Sequence, residues 1–150
     1  MDNNRKEELE MVTQQLKDLS ATYRDAVGHI GISENEYWIW YTLVLTGGEY
    51  SQRDICDAWS MSKQTVNTIV SHMVQKGYAF LEVVPGTRNR KIIRLTEVGK
   101  EYGERLVIPI HRAGLRAIDR LSPEEFIAGS RALKKFITIL KEEMTDAKLN

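Results

Sequence analysis

Apolar positions recur every three or four residues along the first part of the chain, a spacing that predicts amphipathic helices. From Glu7 to about Val27 the chain follows this spacing, and Gly28 ends the helix. Ser33 begins a second helix with a Ser-x-x-Glu capping-box pattern, and Gly47 closes it. The second helix is apolar on nearly every face, so we expect it to lie at the centre of the protein.

The next two predicted helices are short and close together. Ser51 opens the first of them with a Ser-x-x-Asp pattern, residues 59–61 form a turn, and Ser62 caps the second, which ends at Gly77. The inner face of this second helix is expected to contain Val66, Ile69, Val70, Met73 and Val74. Two helices joined by a short turn, the second polar on its outer face, form the helix-turn-helix pattern.

A β-hairpin pattern follows the two short helices. Residues 78–84 are typical of a strand, Pro85 and Gly86 of a turn, residues 87–91 of a polar loop, and residues 92–95 of a returning strand. A hairpin in this position is a wing, and arginines at its tip can enter a DNA minor groove, which attracts cations where it is narrow. The alternative is an ordinary basic hairpin turn.

The chain after the wing predicts two more helices. Thr96 caps a long one that runs to about Leu121 and can bend at Pro109. Ser122 starts the last helix, whose apolar stripe contains Phe126, Ile127, Leu133, Phe136, Ile137, Leu140 and Met144. The first helix has a similar stripe, and one small winged domain cannot cover both. We therefore predict a homodimer in which residues 1–30 and 100–150 form dimerisation helices around a DNA-binding lobe of residues 33–99.

Net charge is zero, but its distribution along the chain is uneven. Residues 1–61 hold five Lys or Arg and eleven Asp or Glu, residues 62–94 hold six and one, and residues 95–150 hold ten and nine. Between Ala58 and Leu81 there is no acid at all. This middle block has the local positive charge that phosphate neutralisation requires, although a solvated charge run would look the same.

The polar side chains of the fourth helix and the wing are therefore expected to contact double-stranded DNA. The predicted DNA-binding residues are Ser62, Lys63, Gln64, Thr65, Asn67, Thr68, Ser71, His72, Arg88, Asn89, Arg90 and Lys91. Amide and hydroxyl groups can bind base edges in the major groove, and the cations can bind phosphates.

From residue 51 to residue 99 the chain resembles the MarR family of winged helix-turn-helix transcriptional regulators, and the likeness extends over nearly the whole sequence. The resemblance is carried by residues 62–77 and by the Leu-Thr-x-x-Gly of residues 95–99 after the basic wing. It implies a mainly α fold with a small β wing, and a dimer that acts on a pseudo-palindromic operator as a repressor. Family members usually have an aspartate at the wing tip that orients an arginine, whereas Thr87 and Arg88 stand there in this chain.

The resemblance also implies a small-molecule effector site between the dimerisation helices and the DNA-binding lobe. The matching residues here are Tyr23, His29, Trp38, Tyr41, His111 and Arg112. Aromatic walls with one arginine and two histidines would suit a small aromatic or anionic compound. The alternative is that these aromatic side chains are plain hydrophobic core.

Other functions find little support in the sequence. No apolar run reaches the roughly 20 residues of a membrane-spanning helix, and the polar N-terminus is not signal-like, so a cytoplasmic location is expected. We expect no metal site, cofactor or enzymatic activity, and a buried structural thiol at Cys56. Two alternatives stay open: a winged-helix adaptor that binds proteins instead of DNA, and a ligand-binding or redox protein that uses Cys56.

Overall fold

Six helices and a two-stranded antiparallel sheet make up the protein, and a computed structural model describes residues 3–147. The elements are α1 (Asn3–Gly28), α2 (Glu34–Leu45), α3 (Gln52–Trp59), α4 (Lys63–Gln75), β1 (Ala79–Val83), β2 (Lys91–Leu95), α5 (Glu97–Asp119) and α6 (Pro123–Asp146). The predicted fold class, mainly α with a small β wing, is confirmed. The first strand is shorter than predicted, and Trp59 belongs to α3 instead of to the turn.

Serine residues begin four of the helices as the sequence predicts. The hydroxyl oxygen of each accepts a hydrogen bond from the backbone N–H three residues later, at Ser33, Ser51, Ser62 and Ser122. At Ser51 and Ser122 the acidic third residue also accepts from the N-cap N–H, which completes a capping box. These bonds fix where α3 and α4 start, and so fix the helix-turn-helix.

Of the two hydrogen bonds in the capping box predicted for α2, one forms and the other does not. Ser33 caps the helix, but the carboxylate of Glu36 accepts from the indole N–H of Trp40 at 3.3 Å and makes no bond to the Ser33 N–H. The two residues are four apart on one face of the helix, and the buried indole N–H needs an acceptor.

Helix α2 lies at the centre of the core, as predicted. Its side chains Tyr37, Ile39 and Trp40 are almost completely buried. Around them pack buried side chains of the other elements: Val27, Ile55, Val66, Val70, Met73, Ala79, Ile93, Leu106 and Val107. Val74, predicted to face inward, is instead 40% exposed, because the helix turns it about 100° away from Met73.

The wing is the hairpin of β1 and β2, with Ala79 opposite Leu95 and Val83 opposite Lys91. The Val84 N–H donates to the Arg90 carbonyl at 2.8 Å, which continues the ladder beyond the strands. At the base of the wing, the Ile93 N–H donates to the Tyr50 carbonyl at 2.8 Å. This bond joins the wing to the segment that leads into α3.

The Leu-Thr-x-x-Gly motif forms the junction between the wing and α5. The Thr96 hydroxyl donates to the Gly77 carbonyl at 2.6 Å and accepts from the Gly99 N–H at 3.0 Å, so it caps α5 and holds the end of α4. A Cβ atom on Gly99 would lie 1.8 Å from the Tyr78 carbonyl oxygen. Glycine is therefore required by the close approach of the α5 backbone to the start of the wing.

Two compact units divide the chain, residues 1–110 and residues 111–150, and α5 continues through the boundary. The division differs from the predicted lobe of residues 33–99 flanked by dimerisation helices, which stays a prediction. Within the single chain, large apolar side chains of both terminal helices are exposed, among them Leu9, Leu16, Leu19, Ile127, Leu133, Ile137 and Met144. No helix in residues 3–147 is long and apolar enough to cross a membrane.

Candidate nucleic-acid interface

The outer face of α4 carries a continuous row of exposed polar side chains. Lys63, Asn67 and Ser71 follow one another at four-residue intervals, and Gln64, Thr68 and His72 form the adjacent row. No Asp or Glu occurs anywhere in α4. The face therefore offers one cation and several neutral donors and acceptors without a competing carboxylate, which suits phosphates and base edges.

Ser62 and Thr65 have a structural task at the start of this helix. The Ser62 hydroxyl accepts from the Thr65 N–H at 3.1 Å and donates to the Thr65 hydroxyl at 2.8 Å. Thr65 is also half-buried. These two predicted DNA-binding residues hold the N-terminus of α4, so their contribution to any interface includes setting where the exposed row begins.

The exposed row of α4 is tied to α3 through Asn67. Its side-chain amide donates to the side-chain oxygen of Gln52 at 3.3 Å. A groove of about 500 Å³ beside this bond is lined by Gln52, Arg53, Cys56, Lys63 and Asn67. Arg53 and Lys63 give the groove positive charge, and the Gln52 contact restricts the orientation of the Asn67 amide.

The tip of the wing, residues 85–90, is exposed and basic. The Thr87 hydroxyl donates to the Val84 carbonyl at 2.7 Å, which folds the loop onto its own backbone. Gly86 and Asn89 have positive φ angles of 77° and 67°, so the loop turns sharply on both sides of Arg88. Of the predicted DNA-binding residues, Arg88, Asn89 and Arg90 lie exposed at this tip, and Lys91 lies exposed at the start of β2.

Arg90 forms an ion pair with Asp54 of α3, and its guanidinium nitrogen lies 3.0 Å from Oδ2. The same oxygen accepts the Ser51 N–H at 2.9 Å as part of the capping box. The backbone N–H of Ser51, with a further contribution from Arg90, holds the pKa of Asp54 below its usual value. An acid thus does face a wing arginine, but it comes from α3 instead of from the wing.

Three residues at the start of α3, namely Gln52, Arg53 and Asp54, belong to this face although they are not among the predicted DNA-binding residues. A cleft of about 450 Å³ between α3 and the wing is lined by Ser51, Gln52, Arg53, Leu81, Arg88, Asn89, Arg90 and Lys91. Gln52 and Arg53 line both this cleft and the groove beside α4. Counting charge by segment placed Arg53 and Asp54 in the acidic part of the chain. The one signal in the sequence for this part of the site is the capping-box pattern of Ser51 and Asp54, which predicts where α3 begins.

Arg94 is part of the basic block in the sequence but is engaged inside the wing. Its guanidinium lies 2.7 Å from a Glu82 oxygen and 2.8 Å from a Glu49 oxygen. These two carboxylates raise the pKa of Arg94, Glu49 having the larger effect. Arg94 therefore joins the two strands to the segment before α3, and its charge is largely matched at the base of the wing.

Three of the six residues of the predicted effector site lie together within the unit of residues 1–110. Tyr23, Trp38 and Tyr41 belong to one aromatic cluster with Tyr37 and Trp59, in which the Trp38 and Trp59 rings stack with centroids 4.7 Å apart. Burial, followed by the neighbouring Tyr23 and Tyr41, raises the pKa of Tyr37 to about 12. His29 is exposed in the turn after α1, and His111 and Arg112 belong to the unit of residues 111–150.

The remaining chemistry predicted from the sequence concerns the thiol and metals. Cys56 is half-buried beside the groove of α4, so the predicted buried thiol is partly accessible. Among residues 3–147, no three His, Cys, Asp or Glu side chains are grouped in a way that could hold a metal ion.

Comparison with known proteins finds similarity to one family. Residues 30–88 match the MarR family model. The whole fold is similar to a MarR family regulator from Neisseria meningitidis, with a TM-score of 0.80 and 19% identity over 94% of this chain and 99% of that one. It is also similar to AbsC, a MarR family transcriptional regulator from Streptomyces coelicolor, with a TM-score of 0.77 and 23% identity over 95% and 97% of the two chains. The chain is thus similar to the MarR family, over residues 30–88 in sequence and over nearly its whole length in fold.

A DNA complex is known for another structure with the same fold. This chain is similar to S. aureus MepR in its complex with DNA, with a TM-score of 0.66 and 20% identity over 87% of this chain and 96% of that one. No curated protein matches the chain. The fold is therefore shared with MarR family regulators, one of which has been solved in complex with DNA.

Proposed function

We propose that this protein is a MarR-like transcriptional repressor that binds a pseudo-palindromic operator as a homodimer and is released by a small aromatic or anionic effector. The observation that carries the proposal is the carboxylate-free outer face of α4 beside a basic wing tip. In such an arrangement the helix enters the major groove while the wing contacts the adjacent minor groove or the backbone.

The side chains of α4 divide by chemistry into two kinds of DNA contact. Lys63, with Arg53 of α3 beside it in the groove, is suited to neutralise phosphates, which supports affinity for any duplex. Gln64 and Asn67 carry side-chain amides, which can bond to both the N6 and N7 positions of adenine. Asn67 is already oriented by Gln52, so less side-chain entropy is lost when it meets a base.

The apolar stripes of α1 and α6 support the dimer. Leu16 is 66% exposed and Leu133 is 55% exposed in the single chain, and they are two of a larger set on these helices. Contiguous apolar surface of this kind is rare on a monomer and is usually covered by a partner. A two-fold dimer presents two copies of α4, so the half-sites should lie about one helical turn apart, about 34–36 Å.

The aromatic cluster is the place where an effector could act on DNA binding. Trp59 ends α3 directly before the turn into α4, and its stacking on Trp38 joins that turn to α2. A compound that separated these rings would displace the start of α4. A coupling of about 1–3 kcal/mol would change DNA affinity about 5- to 150-fold.

Selection of bound duplexes from a random pool, followed by titration of the enriched duplex at several salt concentrations, tests the proposal. We expect an inverted repeat, and a Lys63→Ala dimer whose log–log salt slope is shallower by about 1.8, or about 0.9 for each lost phosphate contact. The matched control is Lys17→Ala, which removes the same charge from an exposed position of α1. A pool without an enriched repeat would instead favour a protein-binding adaptor.

A further inference from the structure

We propose that Asp54 is a positioning residue that holds Arg90 against α3, and that Arg88 is consequently the wing arginine that enters the DNA minor groove. This inference rests on the proposed DNA-binding function and deepens it. It assigns different tasks to two arginines that the sequence does not distinguish, since both are exposed at the wing tip two residues apart.

Asp54 is a well-fixed anchor. As the third residue of α3 it completes the capping box with Ser51, and one oxygen, Oδ2, accepts both the Ser51 N–H at 2.9 Å and the Arg90 guanidinium at 3.0 Å. A carboxylate held by a helix cap has little rotamer freedom left to lose when it binds a cation. The ion pair therefore joins the wing to a rigid part of the helix-turn-helix.

Arg90 is held at both ends. Its backbone carbonyl accepts the Val84 N–H at 2.8 Å, which pairs it with the opposite side of the wing, and its side chain is bound to Asp54. To reach a groove, Arg90 would have to leave Asp54 and expose an unpaired carboxylate close to DNA phosphates. The repulsion between these negative charges opposes that movement.

Arg88 is placed differently. It lies at the middle of the tip between the two positive-φ residues Gly86 and Asn89, and within residues 3–147 it has neither a hydrogen bond nor an ion pair. Its charge is not matched by a neighbouring acid, whereas that of Arg90 is. Narrow A·T-rich minor grooves have enhanced negative potential, so they should draw in the arginine whose charge is free.

Affinity and flank preference together test the assignment. The probes are the duplex that the wild-type dimer enriches from a random pool, the same duplex with A·T-rich or G·C-rich flanks beside each half-site, and sonicated heterogeneous duplex DNA. The variants are Arg88→Ala, Arg90→Ala, Asp54→Asn and the double variant of the last two. Asn can still accept the Ser51 N–H, and thermal unfolding verifies that each variant is folded.

We expect Arg88→Ala to lower the salt slope by about 1.8 for the dimer and to abolish the preference for A·T-rich flanks. Asp54→Asn and Arg90→Ala should each weaken the flank preference. The double variant should weaken it no further than the more damaging of the two single variants, because both substitutions remove the same Asp54–Arg90 ion pair. Charge alone predicts the opposite for Asp54→Asn, namely tighter binding to all duplexes. Asp57→Asn, which removes an exposed acid from the same helix, should show only that effect.

The inference is overturned if Arg90→Ala removes the salt slope and the flank preference while Arg88→Ala leaves both intact. Additive effects of Asp54→Asn and Arg90→Ala would equally overturn the positioning role of Asp54. Both results require a wild-type protein that enriches a sequence, so they differ from failure of the proposed function, in which the wild type enriches none.

Discussion

The indole N–H of Trp59 donates a hydrogen bond of 2.7 Å to the Thr42 hydroxyl, and so ties the last residue of α3 to the middle of α2. Thr42 is 3% exposed, and its hydroxyl in turn donates to the Trp38 carbonyl at 2.8 Å. The next residue, Ser60, is left-handed with a φ of 51° and leads into α4. The geometry of the helix-turn-helix is therefore set from the core side by a polar contact.

Thr42→Val should destabilise the protein by about 1–3 kcal/mol, because the Trp59 N–H loses its acceptor in a partly buried position. Valine keeps nearly the same volume, so little of the loss should come from packing. Urea unfolding followed by circular dichroism measures the change. Thr13→Val removes an equivalent hydroxyl-to-carbonyl bond from the exposed part of α1 and should cost far less. Equal losses in the two variants would contradict a special role for the Thr42 contact.

Gly99→Ala should be among the most damaging single substitutions in the chain. The added Cβ would lie 1.8 Å from the Tyr78 carbonyl oxygen, which belongs to backbone and cannot rotate away. Separating α5 from the wing would also break the Thr96 contacts, and we expect a loss of more than about 3 kcal/mol, or failure to fold. Thermal unfolding is the measurement.

Gly114→Ala is the matched control on the same helix, since its added Cβ would have no atom within 4 Å in the single chain apart from its chain neighbours and the adjoining backbone of its own helix. There the better helix propensity of alanine should raise stability by about 0.5–1 kcal/mol. If Gly99→Ala melts at the temperature of Gly114→Ala, the close approach at Tyr78 has been misjudged.

Much of the fold follows from local signals in the sequence. Ser33, Ser51, Ser62 and Ser122 begin the helices that their capping patterns predict, because a cap depends only on residues three positions apart. The wing follows from alternation and turn residues in the same way. The central place of α2 follows from a helix with no polar face.

The parts of the site that the sequence missed depend on residues far apart in the chain. Asp54 and Arg90 are 36 positions apart and Gln52 and Asn67 are 15 apart, so no local pattern records either contact. Counting charge by segment assigned Arg53 to the acidic residues 1–61, although in the structure it lines the same groove as Lys63 of the basic block, residues 62–94. Glu36 is the opposite case. Its position three residues after Ser33 fits a capping box, but its carboxylate accepts from the Trp40 indole N–H instead.

The stabilisation that the Asp54 carboxylate gives to the folded protein should be lost under acid conditions. The pKa of this carboxylate in the folded protein is lower than in the unfolded chain, mainly through the Ser51 N–H and then through Arg90. The unfolded state therefore binds the proton first, and the stabilisation is present above about pH 4 and is lost as the pH falls further. The difference in unfolding free energy between wild type and Asp54→Asn should be constant from pH 7 to about pH 5.

Urea unfolding of both proteins at a series of pH values gives this difference directly. Below about pH 4 the two stabilities should converge, because protonated Asp54 no longer pairs with Arg90. Asp57→Asn serves as the control for the loss of one carboxylate from α3. A wild-type advantage that instead grew on acidification would show that the sign of the Asp54 effect is wrong.

The dimer should depend on the apolar stripe of α6. Leu133→Glu and Ile137→Glu each introduce a charge on side chains that are 55% and 42% exposed in the single chain, so they should cost little in the folding of one subunit. In a dimer interface, the same charge would be desolvated without a partner and would strongly weaken association. Analytical ultracentrifugation should then give a monomer, and binding to the enriched duplex should fall with it. Lys135→Glu, about 200° around the helix from Leu133, should leave the dimer intact. A Leu133→Glu protein that sedimented as the wild type does would remove this stripe from the interface, and the two-fold arrangement of the α4 helices would then need another surface to hold it.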